Sequence, residues 1–271
     1  MKRIGTGFFV TLCLLSFAVL PAHADEWSKS YAISGKPDLR VETSDANIHV
    51  STWDQNTIEA KVVTNRYKIG DGGIRIEEHQ TGDMIEIDVH LPHEHGGIVN
   101  LGNLGGRRVD IDIHLPREGR LDLHTGDGAI NVTGFKGEML LRSGDGSQEL
   151  DEVDGKLHAR AGDGHIRANG RFDELELKTG DGHVDAQAAA GSTVATGWTI
   201  ESGDGSVTLE VPETLAADVD LHTGDGHIDL DLPVVVTAGR IRPHDVHGKI
   251  NGGGNLLSIH TGDGSIRLRK S

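Results

Sequence analysis

Cysteine occurs once in this 271-residue chain, at Cys13, inside an apolar stretch near its start. Once that stretch is removed, the chain has no disulfide framework, thiol nucleophile or cysteine-ligated zinc site. Aromatic residues make up only 4% of the sequence, so a core must be assembled from Leu, Ile, Val and Ala. Basic residues are in deficit, 26 against 42 acidic ones, for a formal charge of −16. An acidic exterior argues against nucleic acid and anionic lipid as partners, and is compatible with cation binding. The sequence also lacks a nucleophile motif, a phosphate loop and a dinucleotide fingerprint. No low-complexity linker divides it, so residues 25–271 are expected to form one elongated domain.

The first 24 residues read as a secretory signal peptide. Met1-Lys2-Arg3 precedes the apolar run Ile4–Leu20, and Ala22-His23-Ala24 supplies a small-x-small cleavage site before Asp25. A transmembrane anchor is the alternative, but the run is short and interrupted by Gly5, Thr6, Gly7 and Ser16. Cys13 lies inside the run and not at its cleavage end, which argues against lipid attachment. Removing Lys2 and Arg3, with no acidic residue alongside them, takes the charge from −16 to −18. The expected location is outside the cytoplasm: periplasm, cell surface or extracellular, with no transmembrane segment after cleavage.

What the chain has in abundance is glycine, 38 residues, much of it in one recurring phrase. Gly126-Asp127-Gly128, Gly144-Asp145-Gly146, Gly162-Asp163-Gly164 and Gly180-Asp181-Gly182 follow one another at intervals of 18 residues. The phrase returns at Asp204, Asp225 and Asp263 after gaps of 23, 21 and 38. The last gap is about two periods, which places a degenerate copy near His247-Gly248-Lys249-Ile250. Five and three residues before each loop stand apolar residues, such as Leu121 and Leu123 or Leu175 and Leu177. Four and six after it stand others, such as Ile166 and Ala168 or Val207 and Leu209, although Gln148 interrupts this row. Alternation with period two is the half-buried strand pattern. Each unit therefore reads as strand, Gly-Asp-Gly turn, strand and second turn (Thr133-Gly134, Asn169-Gly170).

Such a unit cannot bury its apolar side chains alone, whereas stacked units can. The expected fold is all-β: a single-domain parallel β-solenoid of about 18–23-residue coils with Gly-Asp-Gly turns. Its loop glycines suit backbone with φ > 0. An antiparallel array of hairpins competes, because Asp-Gly is also a hairpin signal. Thr43-Ser44-Asp45-Ala46 reads as a first, degenerate loop, and Ile74–Glu77 with Met84–Leu91 as a further strand pair. Gly70-Asp71-Gly72 and Thr81-Gly82-Asp83 resemble the phrase in a less regular setting. His93–Arg108 is an irregular insertion. The irregular first coils and the tail of Arg267, Arg269 and Lys270 are expected to cap the two ends of the stack.

The ordered series resembles a known group. Ile113-His114-Leu115-Pro116 leads into Leu121–Ile130, the Gly-Asp-Gly-x-Ile/Val units follow, and Asn251-Gly252-Gly253-Gly254 precedes Thr261–Ile266. In these features, over roughly Leu39–Lys270, the chain is similar to the bacterial putative-adhesin family, a β-strand-repeat domain of unknown function. The resemblance implies a β-helical envelope or surface domain and carries no catalytic residues. This chain differs in keeping Asp in every regular loop.

Three chemistries compete with plain turn formation. Stacked in register, Asp127, Asp145, Asp163 and Asp181 would lie about 4.8 Å apart along one edge. Calcium, which takes carboxylate and carbonyl oxygens, could sit between two of them. However, calcium-loaded β-rolls repeat every nine residues and use both turns, and here the second turn usually lacks an acid. His124, His222 and His260 precede loops by two residues, and His165, His183 and His227 follow loops directly. His222-Thr223-Gly224-Asp225-Gly226-His227 and His260 on a later coil could gather two imidazoles and a carboxylate, which suits zinc. Yet the two-before position is Arg142, Arg160, Lys178 or Glu201 in other copies, as on an interchangeable solvated face. His93-Glu94-His95 lacks the His-Glu-x-x-His spacing of metalloproteases. Paired carboxylates could cleave polysaccharide, but a catalytic pair needs two unlike environments, and these acids recur identically. The expectation is therefore a non-catalytic, exported envelope module, adhesin-like, that binds or scaffolds an unidentified envelope, glycan or protein partner. It needs no cofactor, with calcium the one candidate; a calcium-binding β-roll-like protein or a polysaccharide-cleaving β-helix enzyme is the alternative.

Overall fold

The computed structural model describes residues 25–65, 67–92, 108–236 and 243–271. The signal-type segment and the His93-Glu94-His95 insertion lie outside the described residues. Among those described, all regular secondary structure is strand, and the 21 strands form one connected sheet. The fold is all-β.

The sheet has two walls, joined where long strands turn the corner between them. Each coil gives its strand before the Gly-Asp-Gly loop to the first wall and its strand after the loop to the second. Naming coils by their loop aspartate, Glu118–Thr125 of the Asp127 coil pairs in parallel with Lys136–Ser143 of the Asp145 coil, and that strand with residues 154–161. Register at the apolar positions is kept from coil to coil, although the pairing of the two long strands shifts between Leu150 and Val153 and between Gly155 and Lys156. Leu121, Met139, Leu157, Leu175, Trp198 and Leu257 are successive partners on the first wall. On the second wall Ile130, Gln148, Ile166, Val184, Val207 and Ile266 are matched. These are the apolar ladders that the period-two pattern predicts, and their members are at most 1% exposed. Burying one such aliphatic side chain is worth about 1.5–3 kcal/mol. No coil could hide both faces of its ladder without a neighbour.

Parallel pairing gives way to antiparallel pairing near the ends. Thr57–Thr64 lies antiparallel on Val109–Pro116, and Asp25–Ala32 antiparallel on Thr57–Thr64. Arg75–Thr81 returns antiparallel on Met84–His90 through the Thr81-Gly82-Asp83 turn, which is thus a hairpin and not a coil corner. At the other end Asp245–Ile250 runs antiparallel to Ala217–Thr223. The segment His247–Ile250, expected as a degenerate coil, is therefore part of a capping strand. An all-parallel sheet would leave its last coils with open edges. Reversing the chain covers both walls at the first end and the first wall at the other, whereas Ile228–Asp231 pairs among the described residues only in parallel with Ile266–Lys270.

Stacking order departs from chain order at both ends. Asp38–Thr43 sits between Met84–His90 and Glu118–Thr125, so the Asp45 coil is interior. Leu256–Thr261 sits between Trp198–Ser202 and Ala217–Thr223, and Ile266–Lys270 between Val207–Val211 and Ile228–Asp231. The final coil therefore separates the Asp204 and Asp225 coils. Arg267 and Arg269 do not cap an end; they stand in register opposite Asp229 and Asp231.

The loop glycines have a different cause from the one their composition suggests. None of the fourteen in the seven regular loops is among the positive-φ residues. They are glycine because the coils touch there. A Cβ on Gly146 would lie 1.7 Å from the carbonyl oxygen of Gly128, and one on Gly164 2.2 Å from that of Gly146. In every regular loop but that of Asp127, the first glycine donates its N–H to the first glycine's carbonyl of the coil beneath, as from Gly144 to Gly126 (2.5 Å), Gly162 to Gly144 (2.7 Å) and Gly262 to Gly203 (2.6 Å). Positive φ belongs elsewhere, for example at the second turn, Gly134 (76°). Asn169-Gly170, also expected as a turn, continues inside the strand Ile166–Thr179.

A hydroxyl row backs this corner. Thr179 Oγ1 donates to the Gly164 carbonyl (2.9 Å), Ser202 Oγ to Gly182 (2.9 Å), Thr261 Oγ1 to Gly205 (2.8 Å) and Thr223 Oγ1 to Gly264 (2.7 Å). Ala161 breaks the row, since it has no hydroxyl for Gly146. Ser143 Oγ takes over that carbonyl at 2.6 Å, and Gln148 Nε2 donates to Ser143 Oγ (2.8 Å) and to the Arg160 carbonyl (2.7 Å). The one polar member of an apolar ladder thus compensates for the one missing hydroxyl.

Two predictions follow from the corner. Gly146→Ala should destabilise the fold by about 1–3 kcal/mol, as overpacking does, read as a lower urea midpoint. A midpoint equal to wild type would refute the steric account. Gln148→Ile and Ala161→Thr should each lower stability by about 1 kcal/mol, the scale of a lost buried hydrogen bond. The double variant should recover most of that loss in a double-mutant cycle. Additive losses would show that Gln148 and Ala161 are independent.

Candidate functional site

Three outward surfaces carry the polar side chains: the loop edge, the first wall and the second wall. On the loop edge Asp127, Asp145, Asp163 and Asp181 follow one another on successive coils, all exposed. Several of their N–H groups belong to the corner, with Asp163 donating to the Gly144 carbonyl at 3.2 Å and Asp127 to that of Ser44 at 3.0 Å. The degenerate Asp45 loop is thus a true member of the series. Among the described residues, no three His, Cys, Asp or Glu side chains converge to enclose a metal ion. A cation held between two of the loop aspartates would draw its remaining ligands from backbone carbonyls and water.

The histidines beside the loops are exposed, as alternation predicts. Their partners were not legible from the sequence. His183 N donates to His165 Nδ1 (2.9 Å), Ser206 N donates to His183 Nδ1 (3.0 Å), and the two rings stack at 5.1 Å and 7°. Each imidazole thus accepts a main-chain hydrogen from the next coil, as Asn47 Oδ1 does from Ala129 N. His222 and His260 meet edge to face at 5.9 Å, but His222 Nδ1 is engaged by Asp245 Oδ1 at 2.6 Å. His227 instead bonds Ser265 Oγ through Nδ1 (2.9 Å). The imidazoles considered for zinc are thus used as structural connectors.

The first wall neutralises itself. Arg142 bonds Asp122 and Arg160 bonds Glu176, both at 2.7 Å. His158 lies between Glu174 (3.2 Å) and Glu176 (3.0 Å), and Lys178 between Glu176 (3.5 Å) and Glu201 (3.2 Å). The Arg160 hydrogen bond, aided by His158, outweighs partial burial and holds the Glu176 carboxyl below its ordinary range. Three cross-strand pairs fasten the capping strand: Asp218–Lys249, Asp220–His247 and His222–Asp245, at 3.0, 3.0 and 2.6 Å.

The second wall is different. Its outward residues form a polar groove in two adjoining cavities of about 420 and 430 Å³, which share Asn131 and Thr133. One cavity runs across the Asp127 to Asp204 coils, past Asp151, Arg167, Asn169, Asp185 and Gln187. The other continues past Ser51, Lys61, Asp112 and His114. Sequence reasoning missed this groove because its residues share no repeated type. Only their even spacing after each loop could have marked them.

Together these features define an all-β protein of stacked repeat coils with a polar groove on its second wall. The chain belongs to the Toastrack DUF4097 family, which it matches over residues 34–193 and 169–269. The adhesin-type resemblance read from the loops is consistent with this membership. No protein of curated function matches the chain. Similar solved structures include a putative cell adhesion protein of Clostridium sporogenes, at 16% identity and a TM-score of 0.44, covering 92% of this chain and 100% of that one. A putative lipid binding protein of Parabacteroides distasonis has 13% identity and a TM-score of 0.43, covering 90% and 96%. A putative adhesin of Bacteroides fragilis has 9% and 0.33, covering 90% and 97%.

The electrostatics give a signed prediction. A carboxyl held low in the fold contributes stability above its unfolded pKa, and that contribution is lost as pH falls through the folded value. Arg160→Gln should therefore raise the Glu176 titration midpoint seen by NMR and shrink the stability gap between pH 7 and pH 3. An unmoved midpoint would remove Arg160 as the cause. On the loop edge, Asp163→Asn should change stability by less than about 0.5 kcal/mol, as exposed substitutions do. If calcium raises the melting temperature of the wild type but not of this variant, the row coordinates the ion.

Proposed function

We propose that this chain is an exported, non-catalytic binding or scaffolding module of the cell envelope. In this reading the coils wind as one solenoid, parallel through its body and closed by antiparallel strands. The observation that carries it is the rigid registration of outward side chains by main-chain bonds at every corner. Such a frame presents polar groups at fixed intervals without needing to move. The recurrence of exposed carboxylates in one environment supports a presenting role, since acid–base catalysis needs two environments that differ. The segment before Asp25 supports export. No helix among the described residues is long and apolar enough to cross a membrane, so retention at the envelope would rest on binding.

The test is to incubate residues 25–271 with isolated bacterial envelope fractions, with calcium and with chelator, and measure the bound fraction. Saturable binding in chelator is expected. Binding that needs calcium would make the loop aspartates part of the mechanism. No binding in either condition would sink the proposal.

A further inference from the structure

The second wall allows the partner to be narrowed, on the reading that the chain is an envelope-binding module. The geometry points to the groove of the second wall as a binding site for a linear polysaccharide that is neutral or amino-bearing.

Length is the first argument. The two cavities join at Asn131 and Thr133 and cross eight consecutive strands, from Thr57–Thr64 to Val207–Val211. Seven intervals of about 4.8 Å make the groove roughly 34 Å long. That suits a polymer and exceeds a single small molecule.

The second argument is what the groove offers. Amides from Asn131, Asn169 and Gln187 can donate and accept at once, as can the hydroxyls of Ser51, Thr133 and Thr208. Carboxylates of Asp151 and Asp185 accept only. Sugar hydroxyls, which also donate and accept, match this mixture at every coil. Some side chains are already aimed: Asn169 Nδ2 donates to Asp151 Oδ1 at 2.9 Å, and Asn131 Nδ2 contacts His49 Nδ1 at 3.1 Å. Others are idle. Among the described residues Asp185, Gln187, Thr208 and Glu210 have no side-chain partner, whereas the first wall pairs its charges internally.

The third argument excludes rivals. An extended peptide is held mainly by main-chain bonds to an open strand edge. Here every strand under the groove is paired on both sides, so only side chains are free to bind. The cavity over the Asp127 to Asp204 coils is lined by Glu149, Asp151, Asp185 and Glu210 against Arg167 alone. That imbalance repels uronic acid polymers and phosphate-bearing chains. Beside the second cavity Trp53 stacks on His114, one of its lining residues, at 5.4 Å, which puts an indole next to the polar floor.

The probes are a β-1,4-linked glucose hexamer, a glucosamine hexamer and, as the anionic control, a galacturonate hexamer, each titrated calorimetrically into residues 25–271. At least one of the first two should bind, and the galacturonate hexamer should bind at least tenfold more weakly. Asp185→Ala with Gln187→Ala, both exposed, should weaken that binding at least tenfold with an unchanged circular dichroism melt. Lys178→Ala on the first wall should leave it as in wild type. Failure of both sugars to bind, equal binding of the anionic hexamer, or indifference to the groove variant would each overturn the assignment. The groove variant is also tested on envelope fractions. If it binds them as well as wild type does, the groove is wrong and the envelope-binding role stands; if wild type does not bind them either, both fall.

Discussion

Everything in this fold depends on one close contact, the meeting of main chains at the Gly-Asp-Gly corner. There the N–H of one glycine reaches the carbonyl of the glycine beneath it, and the space beside that bond holds no side-chain carbon. Because the corner fixes the height of each coil, the apolar residues on both walls fall into register and bury one another. The hydroxyl row behind the corner satisfies the second glycine's carbonyl, which a packed interior would otherwise leave costly. Where the row fails at Ala161, a glutamine enters the apolar ladder to repair it. The corner thus decides which residue types are tolerated several positions away.

A frame fixed in this way separates structure from recognition. Inward positions answer to packing and loop positions to the corner, which leaves outward positions free to vary. On the first wall that freedom is spent on ion pairs that tie neighbouring coils together. On the second wall amides, hydroxyls and carboxylates line a groove in which Asp185, Gln187, Thr208 and Glu210 have no side-chain partner among the described residues.

Much of the architecture was legible in the sequence, because the same offsets from each loop recur in every copy. Leu121, Met139, Leu157 and Leu175 declare themselves as one ladder before any coordinates are known. The solvent-facing histidines were legible by the same alternation. The role of the glycines was not, since a residue without a side chain fits both a left-handed turn and a crowded contact. Stacking order was hidden for a deeper reason: every coil carries the same corner and the same ladders, so any coil is compatible with any other as neighbour. Nothing local in Leu256–Lys270 says that it belongs between the Asp204 and Asp225 coils. The groove was equally silent, because Asn131, Glu149, Arg167, Asp185 and Thr208 are united by position and by nothing in their chemistry.

The interior placement of the final coil and of the Asp45 coil also governs how the molecule would bear force. Leu256–Lys270 is bonded along both walls to coils above and below it, and Asp38–Thr43 is flanked in the same way. A pull on the carboxyl terminus must therefore slide a strand lengthwise between two neighbours and break its bonds together, in shear. An end coil would peel away one bond at a time. A tether attached at that end would thus load a strand held one coil in from the end of the stack, and the chain would resist extraction as a clamped strip does.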